Sequence, residues 1–173
     1  MTNTNTPAGN ISAAPRYKAR WLTVCGFLMA MNTVLSSFNI PVPGGHFYLN
    51  DVIIVAAALS LDPLGSFLVG GVGAFLGDFF FYPLPMFVSL ATHGLEAVVI
   101  SLFAQRYGKK NLPLTFFGVF LGALIVVIGY SLGRAYVYST PEYSLIKLPF
   151  EILQAGIGAI LGACLLYTSD AAD

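Results

Sequence analysis

Charge is scarce in this chain. Asp, Glu, Lys and Arg make up 9% of its 173 residues, eight acidic against eight basic, for a formal net charge of zero. A nucleic-acid partner needs a dense basic surface, and these few cations cannot build one. Cysteine is almost missing too: only Cys25 and Cys164 occur. There are two histidines, His46 and His93, and no HExxH, which argues against a zinc hydrolase with its three protein ligands. No GxSxG elbow is present to activate a serine. No GxxxxGK[ST] loop is present to grip ATP, so any energy input must come from another chain or from an ion gradient. The opening MTNTNTPAGNISAAP, residues 1–15, lacks the basic-then-apolar layout of a signal peptide and reads as a disordered tail. Nothing is expected to be cleaved, so the first apolar run stays as a helix.

What the chain has in quantity is apolar residues, 57% of the total, with a mean hydropathy of +0.78. A bilayer core holds about 20 apolar helical residues per crossing, which gives this length room for roughly six. The expected fold is therefore all-α, an integral membrane bundle of six transmembrane helices spanning residues 16–163. The apolar runs are Trp21–Phe38, Val52–Leu61, Leu64–Tyr82, Met86–Ala104, Leu112–Gly133 and Leu145–Ala163. The second is short: ten helical residues rise about 15 Å, half the hydrocarbon thickness, so it needs a thinner, protein-shielded position. Charge bias argues for keeping it. Arg16, Lys18 and Arg20 precede the first run, and Arg106, Lys109 and Lys110 follow the fourth. These two clusters share one face only if an even number of crossings separates them. Both termini and the Gln105–Asn111 loop are then cytoplasmic, while Ser36–Asn50, Tyr82–Pro85 and Arg134–Ser144 face outward.

The final CLLYTSDAAD, residues 164–173, is what one frame of a common sequencing-library adapter encodes. The native chain is expected to reach only about Ala163 here, and Cys164, Asp170 and Asp173 carry no argument. Cys25 then has no internal disulfide partner and is expected to be a buried structural thiol. Small residues recur four apart at Gly73/Gly77, Gly118/Gly122, Gly129/Gly133, Gly158/Gly162 and Gly26/Ala30. In lipid such spacing lets helix backbones approach closely. Most of these read as packing seams, and Gly26/Ala30 is the candidate to dock a partner instead. In the first outer loop, IPVPGGHFYLN favours a structured, hydrogen-bonded cover over a helix continuation. No internal repeat points to an inverted-repeat transporter.

Polar groups concentrate in the outer half of this topology. Asn50 and Asp51 open the second helix, Asp78 ends the third, His93 and Glu96 sit on the fourth, and Lys147, Glu151 and Gln154 on the sixth. His93/Glu96 and Glu151/Gln154 are each three apart and share a helical face. A charge facing lipid at the helix centre costs at least about 2.5–3.5 kcal/mol on insertion scales, so these faces should point into the bundle. They either line a polar ligand pocket or neutralise one another, as in Glu96 with His93 or Lys147 with Glu151. Among Tyr136, Tyr138 and Tyr143, an interfacial belt competes with ring-stacking walls, and Tyr136 is the candidate for ligand contact. No metal and no cofactor is expected. Two rivals to ligand capture are a self-sufficient small permease or channel, and an intramembrane hydrolase using His93 and Glu96.

The stretch Val24–Phe103 resembles the substrate-binding S component of energy-coupling factor (ECF) vitamin transporters. Four motifs carry it in order: a small-xxx-small first helix, a Pro-rich first outer loop followed by LND, a DPLG turn running into a glycine-rich helix that ends in GD, and YPL leading into a helix with HGLE. KLPFEILQAGIGAILG is similar to the family's last helix. The resemblance implies six helices with cytoplasmic ends, in the plasma membrane of a prokaryote. It also implies a transmembrane coupling protein and two ATPase subunits, docked through Gly26 and Ala30. It places a vitamin or vitamin precursor in an outer pocket, for which Asn50, Asp51, Asp78, His93, Glu96, Glu151 and Gln154 are the candidates. Glu151 stands where an uncharged amide is more usual, and Lys147 is available to neutralise it.

Overall fold

The computed structural model describes residues 19–108 and 111–170. The 1–15 tail lies outside the described residues, as do Arg16, Lys18, Lys109 and Lys110 of the charge argument. Six helices form one bundle: α1 (Ala19–Leu35), α2 (Asp51–Ser60), α3 (Pro63–Phe81), α4 (Met86–Tyr107), α5 (Leu112–Tyr138) and α6 (Pro141–Asp170). Each apolar run of the sequence has its helix. α3 to α6 are long and apolar enough to cross a membrane; α1 and α2, at 17 and 10 residues, are shorter. The outward surface is hydrocarbon, with Phe27, Phe80, Phe87, Phe120, Val137, Leu145 and Ile160 all exposed. Where water is absent, burial goes to polar groups and to close-packed helix seams.

α2 is the shielded helix that its length demanded. Ile54 and Ala58 are fully buried, and Ala57 and Val55 nearly so, because α2 lies against α4 and α6 as well as α3. Apolar on every side, it needs no solvent face. Its C-terminal end is fixed by the Asp62–Pro63 turn, where Asp62 Oδ1 accepts a hydrogen bond from Trp21 Nε1 of α1 at 2.5 Å. Cys25 is buried, and its Sγ packs beside Gly65.

Two helices change pitch. α3 loosens into a π-turn over Leu68–Val72, which frees carbonyls from the regular ladder. Asn32 of α1 occupies the gap, its Nδ2 donating to Val69 O at 2.6 Å. α5 ends in a second π-turn, Arg134–Tyr138, which carries the helix to 27 residues. The sequence placed Arg134–Ser144 in an outer loop. Instead α5 continues to Tyr138 and α6 already begins at Pro141, where proline's fixed φ suits a first turn.

The loop after α1 folds into a two-stranded antiparallel hairpin, β1 (Ile40–Val42) and β2 (Gly45–Phe47), paired Ile40↔Phe47, Pro41↔His46 and Val42↔Gly45. Pro43 and Gly44 make the turn. Gly44 sits at φ +83°, a region that an L side chain rarely adopts. The structured cover expected from IPVPGG is thus present, as a hairpin added to an otherwise all-α bundle.

Candidate functional site

The hairpin roofs a cavity of about 80 Å³ at one end of the bundle. Four helices and the segments flanking the other two make its wall: Ser36 follows α1, Asn50 precedes α2, Asp78 ends α3, His93 comes from α4, Tyr130 and Arg134 from α5, and Lys147, Glu151 and Gln154 from α6. The roof adds Gly44, Gly45, His46 and Tyr48, and Tyr82 and Tyr138 add two more rings. Asp51 and Glu96 are buried beside it, linked to the lining residues His93 and Gln154.

Two ionic clusters hold the site. On the α5/α6 side, Glu151 Oε2 receives both Lys147 Nζ and Arg134 Nη1, each at 3.0 Å, with Lys147 and Glu151 both 1% exposed. One helical turn separates Lys147 from Glu151, which brings ammonium and carboxylate together. Arg134 reaches them from the π-turn of α5. On the other side, His93 bridges two carboxylates: Nδ1 lies 2.8 Å from Glu96 Oε2, and Nε2 lies 3.6 Å from Asp51 Oδ1. These three residues could offer metal ligands within 4.8 Å of one another. Yet the ring directs one nitrogen to each carboxylate, which is how an imidazolium balances two anions, and a metal would have to break one of those contacts.

A third set is a hydroxyl chain. Ser89 Oγ donates to Asp78 Oδ2 and lies 2.5 Å from the Tyr130 hydroxyl. With Ser89 committed to Asp78, Tyr130 is the donor in the second bond. Tyr130 also packs its ring against His93, and His46 meets Tyr82 edge to face. Gln154 ties roof to floor: Oε1 accepts from Tyr48 N–H at 3.1 Å, while Nε2 donates to Asp51 Oδ2 at 3.0 Å. Burial, with Asp78 nearby, pushes the Tyr48 phenol above its ordinary range, so the hydroxyl keeps its proton.

Among the described residues, five buried side-chain atoms have no hydrogen-bond partner: His46 Nδ1, Tyr48 OH, Asn50 Oδ1, Asp51 Oδ1 and Ser131 Oγ. Three of the five belong to residues lining this one cavity, and Asp51 lies beside it. An unpaired buried polar atom costs about 1–3 kcal/mol, and these atoms concentrate at one cavity.

Asn50, Asp78, His93, Lys147, Glu151 and Gln154 line the cavity as one set, with Asp51 and Glu96 supporting it. Tyr136 does not join them. It is 78% exposed on the bundle's outside, because the π-turn directs Arg134 and Tyr138 inward instead. Arg134, Ser89, Tyr48, Tyr82 and Tyr130 escaped the sequence reading. Arg134 had a usable signal: it ends a long apolar run, where an ionisable residue is functional by default. Gly26 and Ala30 are not among the cavity's lining residues; both are exposed on α1, where a Cβ added at Gly26 would meet nothing within 4 Å.

An apolar-faced helical bundle around a roofed polar cavity is the architecture of a membrane protein. The chain matches the profile of the family described as ECF-type riboflavin transporter, S component, over residues 16–170, and it belongs to that family. It is accordingly a transporter's substrate-binding subunit. Among solved structures it is similar to one described as "Structure and mechanism of the S component of a bacterial ECF transporter", with a TM-score of 0.67, 20% identity, and coverage of 88% of this chain and 95% of that one. At that identity the likeness speaks to the fold. None of the curated proteins compared matches the chain.

Proposed function

We propose that this S subunit captures a vitamin or vitamin precursor from outside the cell in the hairpin-roofed cavity, for ATP-driven uptake by partner subunits. The observation that carries the reading is the cavity itself, with three of its lining residues bearing buried, unpaired polar atoms. All six helices cross the plasma membrane, both ends are cytoplasmic, and the roof faces outward. Partners of the kind the family's energy coupling requires, a transmembrane coupling protein and two ATPases, dock on the open face of α1 at Gly26 and Ala30. Riboflavin, named in the family's description, is the first solute to test, and the tyrosine-rich lining suits a heteroaromatic ring.

Ligand sites for such solutes are commonly about 300–1,000 Å³, well above the cavity seen here. Loading therefore requires the roof to shift. The restraints that must yield are the Tyr48–Gln154 hydrogen bond and the packing of Gly44 and Gly45 on Lys147.

Two measurements test the reading together. Mass spectrometry of small molecules released from the purified protein should find a vitamin or precursor, and isolation in mild detergent from cells that also express an ECF module should bring ATPases with it. ATP-independent uptake in a strain lacking those ATPases would overturn the proposal in favour of a self-sufficient permease.

A further inference from the structure

We infer that Asn32 is the positioning residue of the cavity's α2/α3 wall: from outside the lining, its one carboxamide sets both the orientation of the Asn50 amide and the turn of α3 that brings Asp78 to the cavity. This rests on the capture reading and adds to it a residue of α1 that touches no solute.

Asn32 is fully buried and is not among the lining residues. Its surroundings fix which way its amide points. In the π-turn of α3 the Gly73 N–H goes to the carbonyls of Leu68 and Gly70, and so passes over Val69 O, its partner in a regular helix. Asn32 Nδ2 takes that oxygen at 2.6 Å. The reverse orientation would set oxygen against oxygen. Asn32 Oδ1 is therefore the atom turned toward Asn50, which must give its own Nδ2, at 3.1 Å. What Asn50 keeps uncommitted in the cavity wall is Oδ1, buried and without a hydrogen-bond partner.

The second effect runs along α3. A π-turn carries one residue more than a regular turn, which rotates everything beyond it by about 100°. Ala74 and Asp78, both in the lining, stand beyond it. α1 is fitted to that turn: a Cβ at Gly73 would lie 2.7 Å from Asn32 Nδ2, and Thr33 Oγ1 donates to Gly73 O at 3.2 Å. Without the Asn32 donor, a regular turn is what returns a partner to Val69 O, and that turn carries Asp78 off the wall.

The test uses the full chain in detergent, with riboflavin as the probe and its affinity read from flavin fluorescence. Asn32→Leu keeps the bulk and removes both bonds. It should weaken riboflavin binding roughly 10- to 100-fold, the loss of one or two hydrogen bonds to the solute. Asn32→Asp discriminates positioning from mere packing: its neutral carboxyl offers an O–H to Val69 O and a C=O to Asn50, whereas the ionised form has no donor. It should bind within about 3-fold of wild type at about pH 5 and weaken relative to wild type wherever that carboxyl ionises. If Asn32→Leu does not fold, Gly73→Ala pushes the same amide off α3 and should bring the same loss. A readout that needs no solute is hydrogen exchange of the Asn50 carboxamide protons, followed by NMR with isotope-labelled asparagine: slow in wild type, fast in Asn32→Leu and Gly73→Ala. Unchanged affinity in folded Asn32→Leu, or an Asn32→Asp loss of the same size at about pH 5 and about pH 8, overturns the inference and leaves solute capture standing. If the wild type binds no riboflavin, the exchange decides: loss of Asn50 protection in the variants upholds the role of Asn32 and unchanged protection overturns it, while capture is judged separately by the small molecules released from the purified protein.

Discussion

Four glycine pairs and one glycine–alanine pair share the same four-residue spacing, and they behave in opposite ways. A Cβ at Gly73 or Gly77 would run into Asn32 of α1 or Ser36 just after it; at Gly118 or Gly122, into Phe103 or Ile100 of α4; at Gly129 or Gly133, into Thr92 or Val88; and at Gly158 or Gly162, into Asp51 or Val55 of α2. Each of those pairs is a filled seam between two helices. At Gly26 the same construction meets nothing, and Ala30 one turn on is exposed beside it. Identical spacing therefore encodes either an internal seam or a bare one, and only the neighbours tell which. The filled seams hold the bundle, and under the proposed function the bare one awaits another chain.

This contrast can be broken at four points. The largest effect is expected for Gly158→Leu, which drives a side chain into Asp51 at the start of α2; overpacking of about 3 kcal/mol should appear as loss of folded protein on size-exclusion chromatography. Gly122→Ala meets Ile100 Cδ1 at 2.6 Å, and the expected cost of about 1–3 kcal/mol would be read as a lowered midpoint of thermal unfolding in detergent. Gly26→Leu should change stability by no more than about 0.5 kcal/mol and leave solute binding intact, yet prevent co-isolation of the ATPase module. A lowered unfolding midpoint for this variant would mean that the α1 face is an internal seam after all. Gly156→Ala on α6, where an added Cβ also meets nothing within 4 Å, should act on stability alone: the better helix former raises the midpoint of thermal unfolding by a few tenths of a kcal/mol and leaves co-isolation of the ATPase module unchanged.

The helices were legible in the sequence because their punctuation is chemical. Asp62–Pro63, Pro83 to Pro85, Gly108 and Pro141 interrupt the apolar runs at or near where the structure ends its helices. Even the short second run could be placed, since nine apolar residues of ten, with Ser60 the one polar side chain, have nowhere to go but the interior. The strands were not legible. At three residues each they are too short to show a period, and their pairing depends on the Pro43–Gly44 turn and on support from Lys147 below.

The site was legible in part, and for a physical reason. Asn50, Asp78, His93, Lys147, Glu151 and Gln154 announce themselves because polar groups in apolar runs must find one another. Arg134 and the inward tyrosines depend on a π-turn, and one residue of extra pitch rotates everything beyond it. That rotation sends Tyr138 inward and Tyr136 to the outside, which no periodicity of a regular helix would assign. Ser89 was missed because a serine among apolar residues looks like any small residue until Asp78 is placed beside it.

The turn glycine of the hairpin carries one more consequence. Gly44 rests on the Cβ of Lys147 and the carbonyl of Tyr143, each 2.9 Å from where its own Cβ would stand. The thickness of the latch over the chamber is therefore set by a single hydrogen atom. Any bulkier residue there would hold the lid ajar from its own tip, and it would lift the stem of the very lysine that neutralises the charge beneath.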